Sequence, residues 1–158
     1  MHSPGDLRPA PKPELPDLVL MQALRPSPAF ARFLYATVGR DWQWIDRLPW
    51  TDSEWLAWLD RPGVETWVAY MEGTPAGYFQ LDGASEPGSV EIAYFGLMPG
   101  FIGQGLGGWL LTEAVRRAWA LGPTRVWVHT CSLDGPHALA NYKARGLRVF
   151  KEVVGVSS

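Results

Sequence analysis

The feature that most constrains this chain is a glycine-rich turn between a strand pattern and a helix pattern. Residues 90–98 are rich in β-branched and aromatic side chains, and residues 103–121 carry apolar side chains at helical spacing. Glycines stand at positions 103, 105, 107 and 108. At such a turn, free backbone N–H groups and the positive end of the helix dipole can both face an anion. The segment therefore predicts a phosphate-binding turn at the start of a helix.

Composition is that of a single globular domain. The chain has 158 residues and a formal net charge of −2, which does not favour nucleic acid as a partner. It has no apolar run of the roughly 20 residues that a membrane span needs. Cys131 is the only cysteine, which excludes an intramolecular disulfide and a cysteine-based zinc cluster. The first residues lack the regions of a signal peptide, so we expect a cytoplasmic location.

The first 16 residues are set apart by prolines at positions 4, 9, 11, 13 and 16. So many prolines disfavour both a helix and a central strand. Residues 1–16 are therefore predicted to form a tail or an extended strap. Residues 17–158 are predicted to form one domain.

The patterns in that domain predict the order β-α-α-β-β-β-α-β-α-β. Predicted strands cover residues 18–24, 64–71, 76–82, 90–98, 125–131 and 147–154, and predicted helices cover residues 28–38, 52–60, 103–121 and 136–145. Ser27-Pro28 and a capping box of Thr51 with Glu54 mark the first two helix starts. The second and third strands read as an antiparallel hairpin, and the strand, long helix and strand that follow read as a parallel unit. The prediction is an α/β fold with a mixed, mostly antiparallel sheet and helices on both faces.

Two segments together resemble one known superfamily. The first is the strand, turn and helix of residues 90–121, and the second is Ala138-Leu139-Ala140-Asn141-Tyr142-Lys143-Ala144-Arg145-Gly146-Leu147. In this order and spacing they resemble the GNAT superfamily of acyl-CoA-dependent N-acetyltransferases, over residues 64–153. The resemblance implies a GNAT-like acyltransferase fold with a splayed central strand pair, and acetyl-CoA as co-substrate.

The resemblance also assigns the coenzyme A contacts. The family's pyrophosphate motif is glutamine or arginine, two arbitrary residues, glycine, one arbitrary residue, then glycine or alanine. It falls on residues 102–107, where Ile102 replaces the polar first residue. Backbone donors remain, and an anion chiefly needs those. With the pantetheine arm along the preceding strand, the predicted contacts are Leu97, Met98, Ile102, Gly103, Gln104, Gly105, Leu106, Gly107, Gly108 and Asn141.

Family members commonly splay this strand from the next one at a bulge. Phe95-Gly96 is the position where a bulge would form most easily, because glycine accepts the required backbone angles. Regular alternation would put Glu91, Ala93 and Phe95 on one face of the sheet, and Ile92 and Tyr94 on the other.

Tyr142 and Glu91 are the predicted catalytic residues. By the resemblance, Tyr142 stands where the family usually places the tyrosine that hydrogen-bonds the coenzyme A sulfur, and a phenol with a pKa of about 10 can protonate a thiolate. Glu91 is a candidate base for the substrate ammonium, acting directly or through water. A backbone N–H near Leu97 is a candidate to polarise the thioester carbonyl. The simpler roles are a packed ring for Tyr142 and a solvated carboxylate for Glu91.

The acceptor side is predicted from the tryptophans. By the resemblance, the region that holds Trp42, Trp44, Trp50, Trp55 and Trp58 forms that side of the cleft. Trp42 and Trp44 lie outside regular patterns and are predicted to line a pocket, whereas Trp55 and Trp58 have the spacing of a core-facing stripe. An aromatic wall suits an apolar or cationic amine. The aromatic content is also compatible with a homodimer.

Two further residues are candidate substrate contacts. Tyr94 lies on the strand that leads to the turn, and His129 lies in the predicted strand 125–131. For His129 the alternatives are a proton relay near Tyr142 and a hydrogen-bonded histidine within the sheet.

The glycines alone also fit another class of protein. Gly103, Gly105 and Gly108 satisfy the G-x-G-x-x-G pattern of dinucleotide-binding folds. In those folds the turn opens directly from its strand, and an acidic residue ends the next strand. Here residues 99–102 intervene, and residues 125–131 include no acid. The context favours acyl-CoA over a dinucleotide.

The sequence therefore predicts an N-acetyltransferase that needs no metal. It would move acetyl from acetyl-CoA to a primary amine of a small molecule or peptide by direct attack in a ternary complex. The alternatives left open are a non-catalytic acyl-CoA-binding sensor, transfer of another acyl group, and transfer to a hydroxyl acceptor.

Overall fold

The helices and strands follow the predicted order, with one predicted strand divided in two. The computed structural model describes residues 1–39, 44, 47–128, 130–131, 138–147 and 152–153. The strands are β1 (Leu18–Gln22), β2 (Val64–Met71), β3 (Thr74–Asp82), β4 (Ser89–Leu97), β5 (Arg125–Val128), β6 (Thr130–Cys131) and β7 (Glu152–Val153). The helices are α1 (Pro28–Gly39), α2 (Asp52–Leu59), α3 (Leu106–Ala120) and α4 (Ala138–Ala144), and short 3-10 turns cover Pro4–Asp6 and Pro99–Phe101.

Five of the strands form one sheet in the order β1-β2-β3-β4-β5. The first three pairings are antiparallel, and β4 pairs with β5 in parallel. The predicted mixed, mostly antiparallel sheet is therefore confirmed. The predicted strand 125–131 does not run through one sheet, because β6 pairs in parallel with β7 in a separate two-stranded sheet.

Side-chain caps set the starts of the first two helices. Ser27 Oγ accepts a hydrogen bond from the N–H of Phe30 (3.2 Å) at the start of α1. Thr51 and Glu54 form the reciprocal capping box at the start of α2. Each cap satisfies backbone N–H groups that a helix start leaves without partners, so both predicted starts are confirmed.

Helices cover both faces of the five-stranded sheet, as predicted. On one face α3 packs over an aliphatic core, which we call the α3 core; it includes Leu81, Val90, Ile92, Leu110 and Val115. On the other face α1 and α2 surround a second core, which we call the aromatic cluster; it comprises Tyr35, Trp44, Trp50, Trp55, Trp58, Tyr78 and Tyr94. None of the helices in the described part of the chain has the length and apolar character that a membrane-spanning helix needs.

The bulge in β4 lies at Ala93. Gln80 of β3 pairs with Tyr94 and Leu81 pairs with Ile92, so Ala93 has no partner on β3. The predicted bulge at Phe95-Gly96 is therefore wrong. Position 96 needs a glycine for a different reason: a Cβ there would collide with Cγ1 of Val38 on α1.

This bulge reverses the side-chain alternation of β4. Ile92 and Phe95 pack with the α3 core, whereas Tyr94 packs in the aromatic cluster. Glu91, between two residues of the α3 core, projects to the opposite face. The predicted faces are therefore wrong: Glu91 shares a face with Tyr94 and not with Phe95.

Residues 1–16 contact the second half of the chain. The N–H of Arg8 donates to the carbonyl of Arg145 (2.8 Å), and the N–H of Ala10 donates to Thr112 Oγ1 (2.9 Å). Met1 exchanges hydrogen bonds with Val126 of β5. These contacts fit the strap alternative and bring Ala10 beside the first turns of α3.

Candidate active site

The turn before α3 carries two glycines in the left-handed region of backbone space. Gly103 and Gly105 have φ angles of 89° and 79°, and a Cβ at either position would meet nothing within 4 Å. Gly105 is the N-cap of α3, and no side chain among the described residues caps this helix. Its first N–H groups are therefore accessible to an anion, which the positive end of the helix dipole also favours.

Gly107 and Gly108 serve packing instead. Asn141 Nδ2 donates to the carbonyl of Gly107 (3.1 Å), which ties α4 to α3. A Cβ at Gly108 would lie 3.1 Å from the Cβ of Ala10 and 3.0 Å from Arg145 Nη1. These two glycines allow α4 and the N-terminal strap to approach α3 closely. Their backbone N–H groups, in the first turn, remain candidates for phosphate contacts.

The three other residues of the predicted phosphate turn have different surroundings. Ile102 is 50% exposed, and Gln104 Nε2 lies 3.5 Å from the carbonyl of Gly100. Leu106 is 1% exposed and belongs to the α3 core. Leu106 thus anchors the turn, and only its main chain can reach a phosphate.

Beyond Ile92, β4 keeps only one of its two neighbours within the described residues. Its pairing with β5 ends at Ile92, whereas its pairing with β3 continues to Leu97. This separation is the predicted splay. We call the unpaired side of residues 93–97 the open edge of β4.

Of the two predicted pantetheine contacts, Leu97 is the one whose main chain faces the open edge. The N–H of Met98 donates to the carbonyl of Ala76 (2.8 Å), and the carbonyl of Met98 accepts from the N–H of Phe101 (2.9 Å). Because an antiparallel ladder alternates, the N–H and C=O of Leu97 point away from β3.

Tyr142 lies on α4 beside the open edge. Its ring is 5% exposed and meets the ring of Phe95 edge-on, with centroids 6.4 Å apart at an interplanar angle of 67°. The neighbouring Asn141 holds α4 against the first turn of α3. The fold therefore brings Tyr142, Leu97 and the phosphate turn to one side of the sheet.

Glu91 lies half-buried on the other face, opposite Asp82 in the register. Burial, and then the charge of Asp82, raise the pKa of Glu91 to about 7. Burial also acts to raise the pKa of Asp82, but hydrogen bonds from Ser85 and Ala84 and the charge of Arg61 hold it below its usual value. Asp82 thus stays ionised, and Glu91 is the carboxylate that titrates near neutral pH.

Arg47 is a candidate functional residue that the sequence interpretation missed. Its Cζ lies 4.3 Å from the ring centroid of Trp50, 4.2 Å from that of Trp58 and 4.7 Å from that of Tyr94. Burial lowers the pKa of Arg47, whereas the charge of Glu91 acts to raise it. The only sequence signal was an arginine among tryptophans in a segment without a clear period.

The predicted acceptor-side residues have mixed outcomes. Trp44 is 8% exposed, and its ring packs against those of Tyr35 and Tyr94 at centroid distances of 5.7 and 5.5 Å. Tyr94 is 5% exposed. Both rings therefore contribute chiefly to the aromatic cluster, and substrate contact by either stays a prediction. Trp42 and His129 lie outside the described residues.

Solved structures with this fold include several acetyltransferases. An IAA acetyltransferase from Bacillus cereus ATCC 14579 superposes with a TM-score of 0.62 and 23% identity, over 85% of this chain and 79% of that chain. An aminoglycoside acetyltransferase from an uncultured soil metagenomic sample, in complex with sisomicin, superposes with a TM-score of 0.67 and 14% identity, over 89% of this chain and 95% of that chain. The ribosomal-protein-S18-alanine N-acetyltransferase from Escherichia coli superposes with a TM-score of 0.61 and 14% identity, over 82% of this chain and 76% of that chain. At these identities the likeness concerns the fold alone.

The family assignment rests on the sequence itself. No curated protein sequence matches the chain. The model of the Acetyltransferase (GNAT) family matches residues 31–147, which is more than half of the chain and includes both the phosphate turn and Tyr142. Together with the splayed sheet and the open start of α3, this match shows that the chain belongs to the GNAT family of acetyltransferases.

Proposed function

We propose that this protein transfers acetyl from acetyl-CoA to a primary amine of a small molecule or peptide, by direct attack in a ternary complex. The observation that carries the proposal is the position of Glu91 and Tyr142 on opposite faces of the sheet next to the open edge of β4. A base can thus serve the acceptor from one face while an acid serves the leaving thiolate from the other.

The donor half of the site is built from backbone. Gly103, Gly105 and the first N–H groups of α3 would hold the pyrophosphate of coenzyme A, because these groups are open and lie at the positive end of the helix. The main chain of Leu97 would pair with the pantetheine arm along the open edge. The N–H of Leu97 is also the candidate donor to the thioester carbonyl. When bound, acetyl-CoA supplies an acyl group that is already activated.

Glu91 would prepare the acceptor. An amine is protonated at neutral pH, and its nitrogen attacks only after losing a proton. With a pKa of about 7, Glu91 is ionised in part of the molecules at neutral pH and still holds an accepted proton well. Glu91 would take the proton directly or through one water molecule, and pass it to solvent.

Tyr142 would serve the leaving group. As the bond between nitrogen and the acyl carbon forms and the bond between carbon and sulfur breaks, the sulfur gains negative charge. The phenol proton of Tyr142 would pass to that sulfur. One of the two protons on the attacking nitrogen would restore the phenol or pass to solvent, and the other stays in the amide product.

The test is thiol release from acetyl-CoA in the presence of a panel of amines, peptide N-termini and alcohols, with the products identified by mass spectrometry. The proposal predicts acceptor-dependent thiol release and an N-acetylated product. An O-acetylated product would move the activity to hydroxyl acceptors. Coenzyme A binding without thiol release for any acceptor would favour the acyl-CoA sensor instead.

A further inference from the structure

The Arg47 guanidinium lies over three aromatic rings. The ring centroids of Trp50 and Trp58 lie at 4.3 and 4.2 Å from its Cζ, and that of Tyr94 at 4.7 Å. A guanidinium that lies over rings can still bind a further group through the N–H donors along its edge. Those donors match the two oxygens of a carboxylate.

Three buried donors, two in the aromatic cluster and one on Arg47 beside it, have no hydrogen-bond partner among the described residues. They are Arg47 Nη1, Trp55 Nε1 and the hydroxyl of Tyr78. The side chains of Trp55 and Tyr78 are both 0% exposed. Buried polar atoms without partners are uncommon in folded proteins. All three can donate a hydrogen bond, and two of them cannot accept one, so the group they lack is an acceptor.

These donors belong to one neighbourhood. Cζ of Arg47 lies 5.9 Å from the ring centroid of Trp55. The charge of Arg47 acts to lower the pKa of Tyr78, which burial holds well above its usual value. Within the described residues, no carboxylate lies within ion-pair distance of Arg47. Arg47 is half-buried, so its charge loses part of its hydration, and a ligand of opposite charge would offset that loss.

The sign of the charge decides the ligand class. A cationic group cannot stack in this part of the cluster, because Arg47 already covers the ring faces and would repel it. Glu91, on the same face of the sheet, attracts an ammonium. The two residues together therefore suit a molecule that carries both charges.

We propose that Arg47, which lies over the rings of Trp50 and Trp58, binds a carboxylate of the acceptor, and that the acceptor is an amino acid or another small amine that carries an acid group. This inference rests on the proposed function for the role of the amine. The carboxylate would accept hydrogen bonds from the N–H groups along the edge of the Arg47 guanidinium, and Trp55 Nε1 and the Tyr78 hydroxyl would be further donors. The amine of the acceptor would lie toward Glu91.

Binding can be tested without any turnover. The probes are N-acetyl amino acids and their matching amides, titrated into the protein saturated with coenzyme A. Calorimetry should give at least tenfold tighter binding for some acids than for their amides, since a charge-assisted hydrogen bond is lost in the amide. The indole N–H signal of Trp55, assigned with Trp55→Phe, should shift only with the acids. If every acid binds no better than its amide, the proposal is wrong.

Three variants test whether Arg47 causes the preference for acids over amides. Arg47→Met should remove the preference for acids, and Arg47→Lys should keep part of it, because lysine retains the charge without the planar fork. Arg116→Met is the matched control, since Arg116 is an exposed arginine on α3 paired with Glu113, and it should keep the full preference. Unchanged coenzyme A affinity in all three variants checks that each is folded. A preference that survives in Arg47→Met would overturn the proposal.

Turnover separates this inference from the proposed function. With amino acids as acceptors, Arg47→Met should raise KM about 10- to 100-fold with little change in kcat, and with their decarboxylated amines it should change neither. Equal effects on acids and decarboxylated amines would contradict the carboxylate site while leaving acetyl transfer intact. Arg47-dependent binding of acids without transfer to any acceptor would contradict the proposed function and leave the carboxylate site standing.

Discussion

Ile92 and Tyr94 lie two residues apart on β4, and yet they pack on opposite faces of the sheet. The cause is the bulge at Ala93: Ile92 and Tyr94 oppose the successive residues Leu81 and Gln80 of β3, and successive positions of a strand point to opposite faces. Before the bulge, Glu91 faces the aromatic cluster; after it, Phe95 and Leu97 pack toward the α3 core and Tyr142. The bulge thereby lets one strand present Glu91, the base that we propose, to one face and the side chains of Phe95 and Leu97 to the other.

Glu91→Gln should make the protein more stable above neutral pH. The folded-state pKa of Glu91 is about 7 against 4.5 for the free side chain, so the folded protein holds this proton more tightly. The contribution of protonated Glu91 to the stability of the folded protein is complete below about pH 4.5 and is lost as the pH rises through about 7. Because glutamine cannot ionise, the free energy of unfolding of Glu91→Gln should exceed that of the parent by about 1–3 kcal/mol at pH 8, with little difference at pH 4.5.

Urea unfolding at pH 4.5 and pH 8 measures this difference. Glu72→Gln is the control, because Glu72 is an exposed glutamate in the β2–β3 turn, and it should show no such pH dependence. If Glu91→Gln and the parent differ in stability by the same amount at both pH values, the difference is not caused by burial of the Glu91 charge.

Tyr142→Phe should lower kcat by about 100-fold, the lower range for loss of a general acid, and leave coenzyme A affinity nearly unchanged. The ring and its contact with Phe95 remain, so the variant removes only the hydroxyl. Tyr70→Phe, a half-buried tyrosine of β2, is the matched control and should turn over at the parent rate. A Tyr142→Phe enzyme with full kcat would exclude Tyr142 as the acid.

Gly105→Glu should abolish coenzyme A binding, because it places a carboxylate at the N-cap of α3 where the phosphates are expected. The substitution also forces a side chain into a φ of 79°, so backbone strain needs its own control. Gly73→Glu supplies it: Gly73 has a φ of 80° and open space around its Cα, but lies in the β2–β3 turn. Calorimetry should find coenzyme A binding lost in the first variant and kept in the second. Equal affinities in both would refute the phosphate turn.

Gly96→Ala should destabilise the protein by about 1–3 kcal/mol through overpacking against Val38. Val38→Ala should offset part of that loss in the double variant, because it removes the methyl group that the new Cβ meets. A double-mutant cycle by chemical unfolding measures the coupling. Strictly additive effects would show that α1 does not press on β4 at this position.

Much of the fold could be read from local patterns. Ser27, Thr51 and Glu54 mark helix starts by satisfying free N–H groups, and these signals act within one turn of the chain. The apolar stripe of α3 and the turn residues between strands are equally local. The order of elements and the mixed sheet follow from them with few alternatives.

The position of the bulge could not be read in the same way. Gly96 looked like the flexible point of β4, but its small size serves the close approach of Val38 from α1. The bulge at Ala93 depends instead on how β4 pairs with β3, which is a contact between strands. Because the predicted alternation ran without a bulge at Ala93, Tyr94 and Phe95 were assigned to the wrong faces relative to Glu91.

The site shows the same division. The resemblance singled out Tyr142, and the place of Glu91 on the strand before the turn made it a candidate base; both roles stay predictions. The raised pKa of Glu91 depends on burial and on Asp82 from the neighbouring strand, which are properties of the folded chain. Arg47 gave no such signal, because the role that we propose for it depends on rings from α2 and β4 that meet only in the folded chain. The sequence alone also does not distinguish two kinds of glycine in this turn. Gly105 has open space around it, whereas Gly108 allows other segments to pack closely against α3.

The most direct test of acetyl transfer with Glu91 as the base is thiol release from acetyl-CoA as a function of pH, in the parent and in Glu91→Gln, with an acceptor found in the amine panel. If Glu91 is the base, kcat/KM of the parent should rise with pH and level off above an apparent pKa near 7. In Glu91→Gln that inflection should be gone and the rate at pH 7 lower by about 100-fold. A Glu91→Gln protein with the parent's rate and the same pH profile would show that Glu91 is not the base.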